Sequence, residues 1–222
     1  DRALVHFFAV GDITADRMQA SGIPVRRAFY RHTPRETAKE RAGLPRDCRH
    51  MVMMCGSMGC GPMYGLTLGL ARQLQGNELL TVVCGTNKSL YRRLNRKCAG
   101  NPRVRILSYV REVAGLLDSA DLYLTKPGGI SVTEAAEKRL PMVLIDTVAG
   151  CEDYNLQFFV GLGAAKTAPD ERATCALCLR ILRDDAERSA MSAAYEKRQA
   201  GCGARFICDT LQKDAAGTER GG

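Results

Sequence analysis

Two glycine-containing loops hold the residue types and spacings that could bind a ligand. The first reads CGSMGCGP over residues 55–62, and the second reads Pro127-Gly128-Gly129. Glycine tolerates positive φ and lets a ligand approach the backbone without meeting a Cβ. Where such a turn opens a helix, the free N–H groups of the first turn face the ligand, so these loops suit an anion or the hydroxyls of a sugar.

Carboxylates and an amide follow the second loop. Ser131 and Glu134 form an SxxE pattern, which predicts a capping box at a helix start. The alternative is that Glu134 binds the two hydroxyls of a ribose; the local sequence favours the cap. Glu152 and Asn155 lie three apart at another predicted helix start, where they could bind sugar hydroxyls or simply cap the helix and face solvent.

The first loop fits two interpretations equally well. Its glycines at 56, 59 and 61 could cradle a phosphate at a helix N-terminus, or they could only permit a tight turn. No GK[ST] follows, and the spacing is not GxGxxG, so neither a Walker loop nor a dinucleotide fingerprint is present.

Alternating strand and helix patterns position both loops. From residue 49 onwards short apolar strands alternate with helices, which predicts βαβ units and a parallel sheet. The predicted strands cover residues 50–54, 79–84, 104–107, 121–125 and 142–145. Because ligands of such sheets bind outside the carboxyl ends of the strands, the Pro127-Gly128-Gly129 turn and the loop 146–153 should face one ligand.

At the two ends of the chain the sequence predicts secondary structure only approximately. A buried strand is predicted at residues 4–10 and a short helix at 12–21, followed by an extended connector at 24–30. Thr33 is predicted to cap a helix that ends near Ala42. After Ala165 the pattern is helical to about Lys213, and a frayed tail follows. The absence of an initiator methionine suggests a fragment.

Composition limits the class of protein. The chain has 222 residues, 45% hydrophobic and 25% charged, which suits one good-sized core or one domain with an appendage. No apolar run approaches the roughly 18 residues of a spanning helix, so we expect none. The net charge of +8 is concentrated at residues 26–49 and 88–111, and it would attract nucleic acid, anionic lipid or a phosphorylated substrate, or merely be solvated.

Metal binding and nucleic-acid binding are not expected. The ten cysteines include a single CxxC, at Cys175 and Cys178, without a second pair to complete a zinc site, so most are predicted to be small buried hydrophobes in a reducing cytosol. The three histidines are isolated, and no DxD occurs. Few aromatic residues accompany the basic segments, which argues against RNA.

Three segments together resemble a known family. In chain order, GSMGCG, TKPGGISVTEAAEKRLPMVLI and AGCEDYN resemble the C-terminal domain of glycosyltransferase family 28, of the diacylglycerol glycosyltransferase type. The resemblance covers roughly residues 1–168. It implies the C-terminal, Rossmann-like half of a GT-B fold, with residues 1–30 as the end of an N-terminal domain and its connector, 31–168 as the UDP-sugar donor domain, and 169–222 as C-terminal helices and tail.

The resemblance also implies site residues. Glu134 would bind the ribose diol, and Glu152 with Asn155 would hold the donor sugar. The remaining residues would contact the pyrophosphate or flank the uracil: Gly56, Ser57, Met58, Gly59, Gly128 and Gly129 for the phosphates, and Tyr109 and Val110 for the base. Catalytic residues are unknown, because the general base of the family lies in the N-terminal domain. No cofactor and no metal are implied.

The function implied is inverting transfer of a hexosyl group from a UDP-sugar to diacylglycerol or a related lipid. The partners would be the UDP-sugar donor, a lipid acceptor bound through the N-terminal domain and an anionic membrane surface, with a cytoplasmic location on the inner face of the membrane. A cysteine at 151, where the family usually has glutamine, leaves the donor sugar open. The alternatives are an inactive UDP-binding regulatory or assembly module, and a peptidoglycan lipid-intermediate GlcNAc transferase; UDP-GlcNAc 2-epimerases and nucleic-acid binders rank lower.

Overall fold

The computed structural model describes residues 21–145, 150–197 and 203–218. Two compact units are present: Arg27–Arg198 forms one, and the two ends of the chain, before and after it, form the other. The strand predicted at residues 4–10 and nearly all of the helix predicted at 12–21 lie outside the described residues. The larger unit contains the sheet and both glycine loops.

The sheet of the larger unit has six strands, and every pairing in it is parallel. The predicted α/β fold with a parallel sheet is therefore confirmed. The strands are β1 Arg49–Met54, β2 Glu78–Val83, β3 Val104–Leu107, β4 Leu122–Thr125, β5 Met142–Leu144 and β6 Ala165–Lys166.

Helices connect consecutive strands and cover the sheet. Among the described residues one helix precedes β1, five form the crossovers and two follow β6 in the larger unit, and a further helix belongs to the smaller unit. Their bounds are α1 Arg35–Arg41, α2 Met63–Ala71, α3 Lys88–Lys97, α4 Val113–Asp118, α5 Gly129–Glu137, α6 Cys151–Leu162, α7 Glu171–Arg183, α8 Asp185–Ala193 and α9 Gly203–Thr218, with 3₁₀ turns at Arg27–Tyr30 and Ala194–Lys197. None of the described helices is long and apolar enough to cross a bilayer.

The strand order reverses between β1 and β4. The order across the sheet is β3-β2-β1-β4-β5-β6, so the chain first winds outwards from β1 and then returns to the other side of it. Met51 of β1 lies opposite Leu80 in β2 and opposite Leu122 in β4. A ligand crevice of an open parallel sheet lies at such a switch point, outside the carboxyl ends of the two strands. Here those ends lead into the two glycine loops.

Alternate residues of the central strands pack on opposite faces of the sheet. Met51 and Met53 of β1, with Leu122 and Leu124 of β4, belong to the cluster that α2 and α7 cover. All four side chains are fully buried. Burying one such side chain contributes roughly 1.5–3 kcal/mol. This cluster fixes α7 on the same sheet as the glycine loops.

The described residues after Ala165 are mostly helical, as predicted, but the region begins with a strand. It was expected to be helical, but Ala165 and Lys166 pair with Met142 and Val143 as the edge strand β6 before α7 begins. A strand of two residues is too short to leave a periodic pattern, and it forms only because the edge of β5 is available.

A buried polar network joins β1 and β4 at the amino edge of the sheet. The His50 N–H donates to Asp121 Oδ2 at 2.8 Å, and Lys39 Nζ lies 2.8 Å from the same oxygen. The His50 ring lies between Thr81 Oγ1, 2.8 Å from Nε2, and Ser119. Burial lowers the pKa of His50 to about 4, so this ring is neutral at pH 7.

The cysteines behave largely as predicted. Six described cysteines are buried and two are exposed; the buried ones are Cys48, Cys55, Cys84, Cys98, Cys175 and Cys178, and the exposed ones are Cys60 and Cys208. Burial raises the pKa of Cys84 to about 11 and that of Cys178 further, which keeps these thiols protonated and unreactive. They pack as small apolar side chains.

Candidate functional site

The loops at the carboxyl edge of the sheet form the candidate site. The loop after β1 contains Gly56 to Gly59, and the turn after β4 contains Gly128 and Gly129. In these crossovers the helices run antiparallel to the strands, so the N-termini of α2, α5 and α6 all begin at this edge. Each contributes free N–H groups and the positive end of its dipole. The edge is therefore suited to a ligand with negative charge.

The glycine loop after β1 interlocks with the loop after β2. The Thr86 N–H donates to Ser57 O at 2.8 Å, and Asn87 Nδ2 donates to Gly59 O at 3.1 Å. A Cβ at Gly59 would lie 2.2 Å from Cys84 O, and a Cβ at Gly85 would lie 2.1 Å from Ser57 O. Both glycines also have positive φ, of +55° and +60°. Close backbone packing thus requires glycine at both positions.

Gly56 differs from Gly59. Its φ is +67°, but a Cβ there would meet no atom within 4 Å. Protein packing therefore accounts for Gly59, whereas the space beside Gly56 is open to a ligand. The loop over residues 84–87 was not among the predicted site residues. The glycine of its CGTN sequence, placed between a strand and a helix at the same edge, was the signal that could have identified it.

The predicted capping box is wrong. α5 begins at Gly129 with Gly128 as its N-cap and no side-chain cap, so Ser131 is already inside the helix. The glycine turn allows the helix to start directly after it, two residues before Ser131. Glu134 is buried, with 7% of its surface exposed, in the second turn of α5. A role in capping therefore does not explain this carboxyl group, and ribose binding stays a prediction.

The start of α6 is tied to the turn after β4. Asn155 Nδ2 donates to Pro127 O at 2.8 Å. Glu152 Oε1 lies 3.7 Å from the position of a Cβ on Gly128. The capping of α6 is done by Asp153, whose Oδ2 accepts from the Gly150 N–H at 2.9 Å. Asn155 therefore has a structural role in the turn, and the Glu152 carboxylate is held beside the second glycine loop.

The remaining predicted residues lie further along the edge. Tyr109 and Val110 follow β3, and the Gly85 N–H donates to Ser108 O at 3.2 Å, which joins their loop to the one after β2. Tyr109 and Met58 are exposed, at 60% and 66%. β3 and β4 are separated by two strands, a distance of about 14 Å at the usual strand spacing. A ligand that contacts both Tyr109 and Glu134 must therefore be elongated.

The described residues around these loops include no metal centre. Across residues 21–145, 150–197 and 203–218, no group of three or more His, Cys, Asp and Glu side chains could hold a metal ion. The positive charge at this edge comes from helix N-termini and from a basic helix beside them. Stabilisation of an anion by backbone N–H groups is the chemistry that the described residues offer.

That basic helix is α3, which begins next to the interlocked loops. Its sequence KSLYRRLNRK contains five cations and no acidic residue. The five side chains are exposed, and none of them forms an ion pair in the described part of the chain. They are Lys88, Arg92, Arg93, Arg96 and Lys97; Arg93 stacks 4.1 Å from the centre of the Tyr64 ring. Leu90 and Leu94 face the core, so the cations form the outer face.

Comparison with known proteins identifies relatives over most of the chain. The family profile described as "Glycosyl transferases group 1" matches residues 66–198, more than half of the chain. A processive diacylglycerol beta-glucosyltransferase from Staphylococcus epidermidis is 24% identical over 204 residues, which are 92% of this chain and 52% of the relative. The resemblance to diacylglycerol glycosyltransferases is confirmed. The chain spans about half the length of the curated relatives it matches.

Solved structures agree on the fold. WaaG, a glycosyltransferase involved in lipopolysaccharide biosynthesis, superposes with a TM-score of 0.67 at 18% identity, over 100% of this chain and 61% of that chain. The Anabaena protein HepE in complex with UDP and glucose also gives 0.67 at 14% identity, over 95% and 61%. These likenesses show the fold, so the sheet corresponds to the C-terminal, Rossmann-like half of the GT-B fold.

Proposed function

The chain belongs to the group 1 glycosyl transferases, and from that premise we propose that it is the donor-binding half of a UDP-sugar-dependent hexosyltransferase. The acceptor is diacylglycerol or a related lipid, as the name of the Staphylococcus relative suggests. Residues 31–168 bind the donor, residues 1–30 connect to an acceptor domain, and residues 169–222 supply the C-terminal helices. Transfer requires the other half of the enzyme.

One observation carries the proposal: two glycine loops and a buried carboxyl group meet at the switch point of the sheet. The loop after β1 and the turn after β4 lie at the carboxyl ends of neighbouring strands. Glu134 lies in the helix that starts from the second of these loops, and Glu152 lies against Gly128. Phosphate groups bind to glycine loops and helix N-termini, and sugar hydroxyls bind to carboxylates.

Each predicted residue has a place along the donor. The pyrophosphate contacts the backbone at Gly56–Gly59 and at Gly128 and Gly129. Glu134 accepts hydrogen bonds from the ribose diol, and Tyr109 and Val110 flank the uracil at the β3 end of the site. Glu152 and Asn155 hold the donor sugar, and Asn155 also orients the turn against which the sugar lies.

The reaction proceeds by inversion. A deprotonated acceptor hydroxyl attacks the anomeric carbon while the bond from that carbon to the UDP oxygen breaks, and UDP leaves with the electron pair. The negative charge that develops on the diphosphate is stabilised by the N–H groups of the glycine loops and by the dipoles of α2 and α5. The base that takes the proton of the acceptor belongs to the other half of the enzyme.

A lipid acceptor requires contact with a membrane surface, and α3 is suited to that contact. Lys88, Arg92 and Arg96 repeat every four residues along its exposed side. Like charges at this spacing destabilise a helix slightly, and a cation at the first position opposes the helix dipole. An anionic lipid surface offsets both effects. The protein is thus proposed to be peripheral on the cytoplasmic face of the membrane.

Calorimetric titration with UDP tests the donor-site proposal. The chain should bind UDP, and Glu134→Ala should weaken binding by about tenfold or more, equivalent to about 1.4 kcal/mol for a lost ribose contact. Glu137→Ala, one turn along on the same helix, is the matched control and should retain the affinity. A folded chain that does not bind UDP, or equal losses in the two variants, would contradict the proposal.

A series of donors then addresses the sugar. Titration with UDP-glucose, UDP-galactose and UDP-GlcNAc compares the hexoses that diacylglycerol and peptidoglycan transferases use. Tightest binding of UDP-GlcNAc would favour the peptidoglycan lipid-intermediate alternative over glycolipid synthesis. A variant Glu152→Gln should lessen the differences between the three sugars while leaving UDP itself bound as in the wild type.

A further inference from the structure

β3 forms one edge of the sheet, and its outer side is open. β2 pairs with one side of it, and among the described residues no strand pairs with the other. Val104 lies opposite Leu80 of β2, and the Leu80 N–H donates to Arg103 O at 2.8 Å. In a parallel ladder the residues on either side of such a partner make the bonds, so the odd-numbered residues bond to β2. The backbone groups of Val104 and Ile106 therefore turn outwards.

A groove runs beside this open edge. It has a volume of about 420 Å³ and lies between β3 and the C-terminal end of α3. Val104 and Ile106 line it on one side, and Asn95, Cys98 and the turn over residues 99–102 line it on the other. Both strand side chains are half-buried and pack against the core cluster. A strand added along β3 would direct alternate side chains into this groove.

Two arginines lie on the opposite face of the strand. Arg103, directly before β3, donates from Nε to Gly76 O at 3.3 Å, and Arg105 donates from Nη1 to Ala42 O at 2.5 Å. Both acceptors are neutral carbonyls, and in the described part of the chain neither arginine forms an ion pair. Residues 79–111 contain eight lysines and arginines and no acidic residue. The edge therefore has positive charge without a nearby carboxylate in the sequence around it.

This charge limits which strand can pair with the edge. Charged side chains on an edge strand commonly prevent pairing with another copy of the same protein. A second β3 would bring Arg105 close to its own equivalent, and like charges on paired strands are destabilising. A strand with carboxylates at those positions would form favourable cross-strand pairs with Arg103 and Arg105. The apolar groove on the other face calls for apolar side chains at the intervening positions.

We propose that the outer edge of β3 is a docking site for an extended segment of a partner protein in which acidic and apolar residues alternate. The backbone of the segment bonds to the outward groups of Val104 and Ile106, and its apolar side chains enter the groove. Its carboxylates lie beside Arg103 and Arg105. The interaction is separate from the donor site, since it requires neither a nucleotide nor the glycine loops.

Binding of synthetic peptides tests the docking site. The probe is a fluorescein-labelled octapeptide of alternating glutamate and valine, and fluorescence anisotropy measures its binding to the chain. A block peptide, with four glutamates followed by four valines, has the same composition and charge. A peptide of alternating lysine and valine has the opposite charge. The alternating acidic peptide should bind at least tenfold more tightly than either control, because it alone matches both the pleat and the charge of the edge.

Amide hydrogen exchange separates strand pairing from general charge attraction. With the alternating acidic peptide at about ten times its Kd, exchange of the Ile106 N–H should slow by about tenfold, because that group then donates to the peptide. The block peptide, brought to the same occupancy, should leave the exchange rate of Ile106 unchanged.

A double variant tests the charge pairs. Arg103→Gln with Arg105→Gln should weaken binding of the alternating acidic peptide by about fivefold to tenfold. Arg172→Gln with Lys197→Gln removes the same charge from exposed positions outside β3 and should keep the affinity. Melting temperatures of both variants establish that they are folded.

Several results would overturn the proposal. Equal binding of the alternating and block peptides, or unchanged exchange at Ile106, would show that acidic peptides contact the basic surface without extending the sheet. Failure of the folded chain to bind the alternating acidic peptide, or equal losses in the two double variants, would also contradict it. If the chain sediments as a dimer and Ile106 is protected without any peptide, the edge is paired with a second copy instead.

Discussion

Asn155 donates a hydrogen bond of 2.8 Å from its side-chain amide to the carbonyl of Pro127. The bond joins α6 to the turn after β4, although the two residues are far apart in the chain. Glu152 precedes Asn155 by one helical turn and lies beside Gly128. The amide nitrogen of a residue expected to contact sugar hydroxyls therefore has a partner within the protein, and we expect Asn155 to affect ligand binding also through the position of the turn and of Glu152.

Asn155→Ala should weaken the binding of a UDP-sugar more than the binding of UDP. The substitution removes a hydrogen bond worth about 1 kcal/mol and frees the turn beside Glu152. Unfolding in urea should show a loss of about that size, and calorimetry should show the difference between the two ligands. Gln157→Ala, at an exposed position of α6, is the control. Equal losses for UDP and UDP-sugar would show that the turn does not act on the sugar end.

Gly59→Ala and Gly85→Ala should each destabilise the fold by about 2–4 kcal/mol. In both cases the new Cβ meets a backbone carbonyl of the opposite loop, at 2.2 Å and 2.1 Å, and neither backbone can move without breaking the interlock. Chemical denaturation measures the loss. Gly100→Ala, with φ of +79° and no atom near its Cβ, has the strain without the clash. Gly100→Ala should therefore lower the free energy of unfolding by only about 1 kcal/mol.

Lys88→Gln, Arg92→Gln and Arg96→Gln combined should reduce binding to anionic vesicles. Each cation near such a surface contributes about 1 kcal/mol, so the triple variant should bind about 100-fold more weakly to vesicles containing phosphatidylglycerol. Co-sedimentation measures this binding, and phosphatidylcholine vesicles give the background.

A second triple variant controls for net charge. Arg139→Gln, Arg172→Gln and Lys197→Gln remove the same charge from exposed positions outside α3. If both triple variants lose binding equally, α3 is not the contact surface. If only the α3 variant loses affinity for a random RNA duplex and neither affects vesicle binding, the partner of α3 is a nucleic acid.

The stability of the chain should fall as the pH drops from about 6.5 towards 4. The pKa of His50 is about 4 in the folded protein and 6.5 in its ordinary state, so the unfolded chain binds the extra proton first. Above pH 6.5 the neutral His50 ring makes its full contribution to the free energy of unfolding. As the pH falls to 4, the free energy of unfolding decreases by about 3 kcal/mol. Denaturation at a series of pH values should show that His50→Asn lacks this part of the dependence, whereas the same substitution at His32 retains it.

Local patterns were enough to predict the sheet but not the ends of its elements. The apolar runs of β1, β4 and β5 and the turn at Pro127 are short-range signals, and each was located to within about two residues. The start of α5 was misplaced because SxxE is typical of a capping box, whereas a pair of glycines lets the helix begin earlier. The strand β6 exists only through its pairing with β5.

Other features of the site depend on residues far apart in the chain. The contact between Ser57 and Thr86 requires two loops to meet across neighbouring strands. The complete burial of Tyr123 depends on which face of β4 it occupies and on the packing of α5 against β4. Neither relationship leaves a motif, and both become visible only once the register of β1, β2 and β4 is known.

The interlock of Gly59 with the loop after β2 affects the rate at which a ligand associates. A cradle whose backbone is already held by contacts with another loop has little conformational entropy left to lose on binding. Association should then be limited by diffusion and charge attraction, without a slow rearrangement step, and differences in affinity among donors should appear mainly in the dissociation rate. Gly59 and Gly85 thus preorganise the site for its ligand.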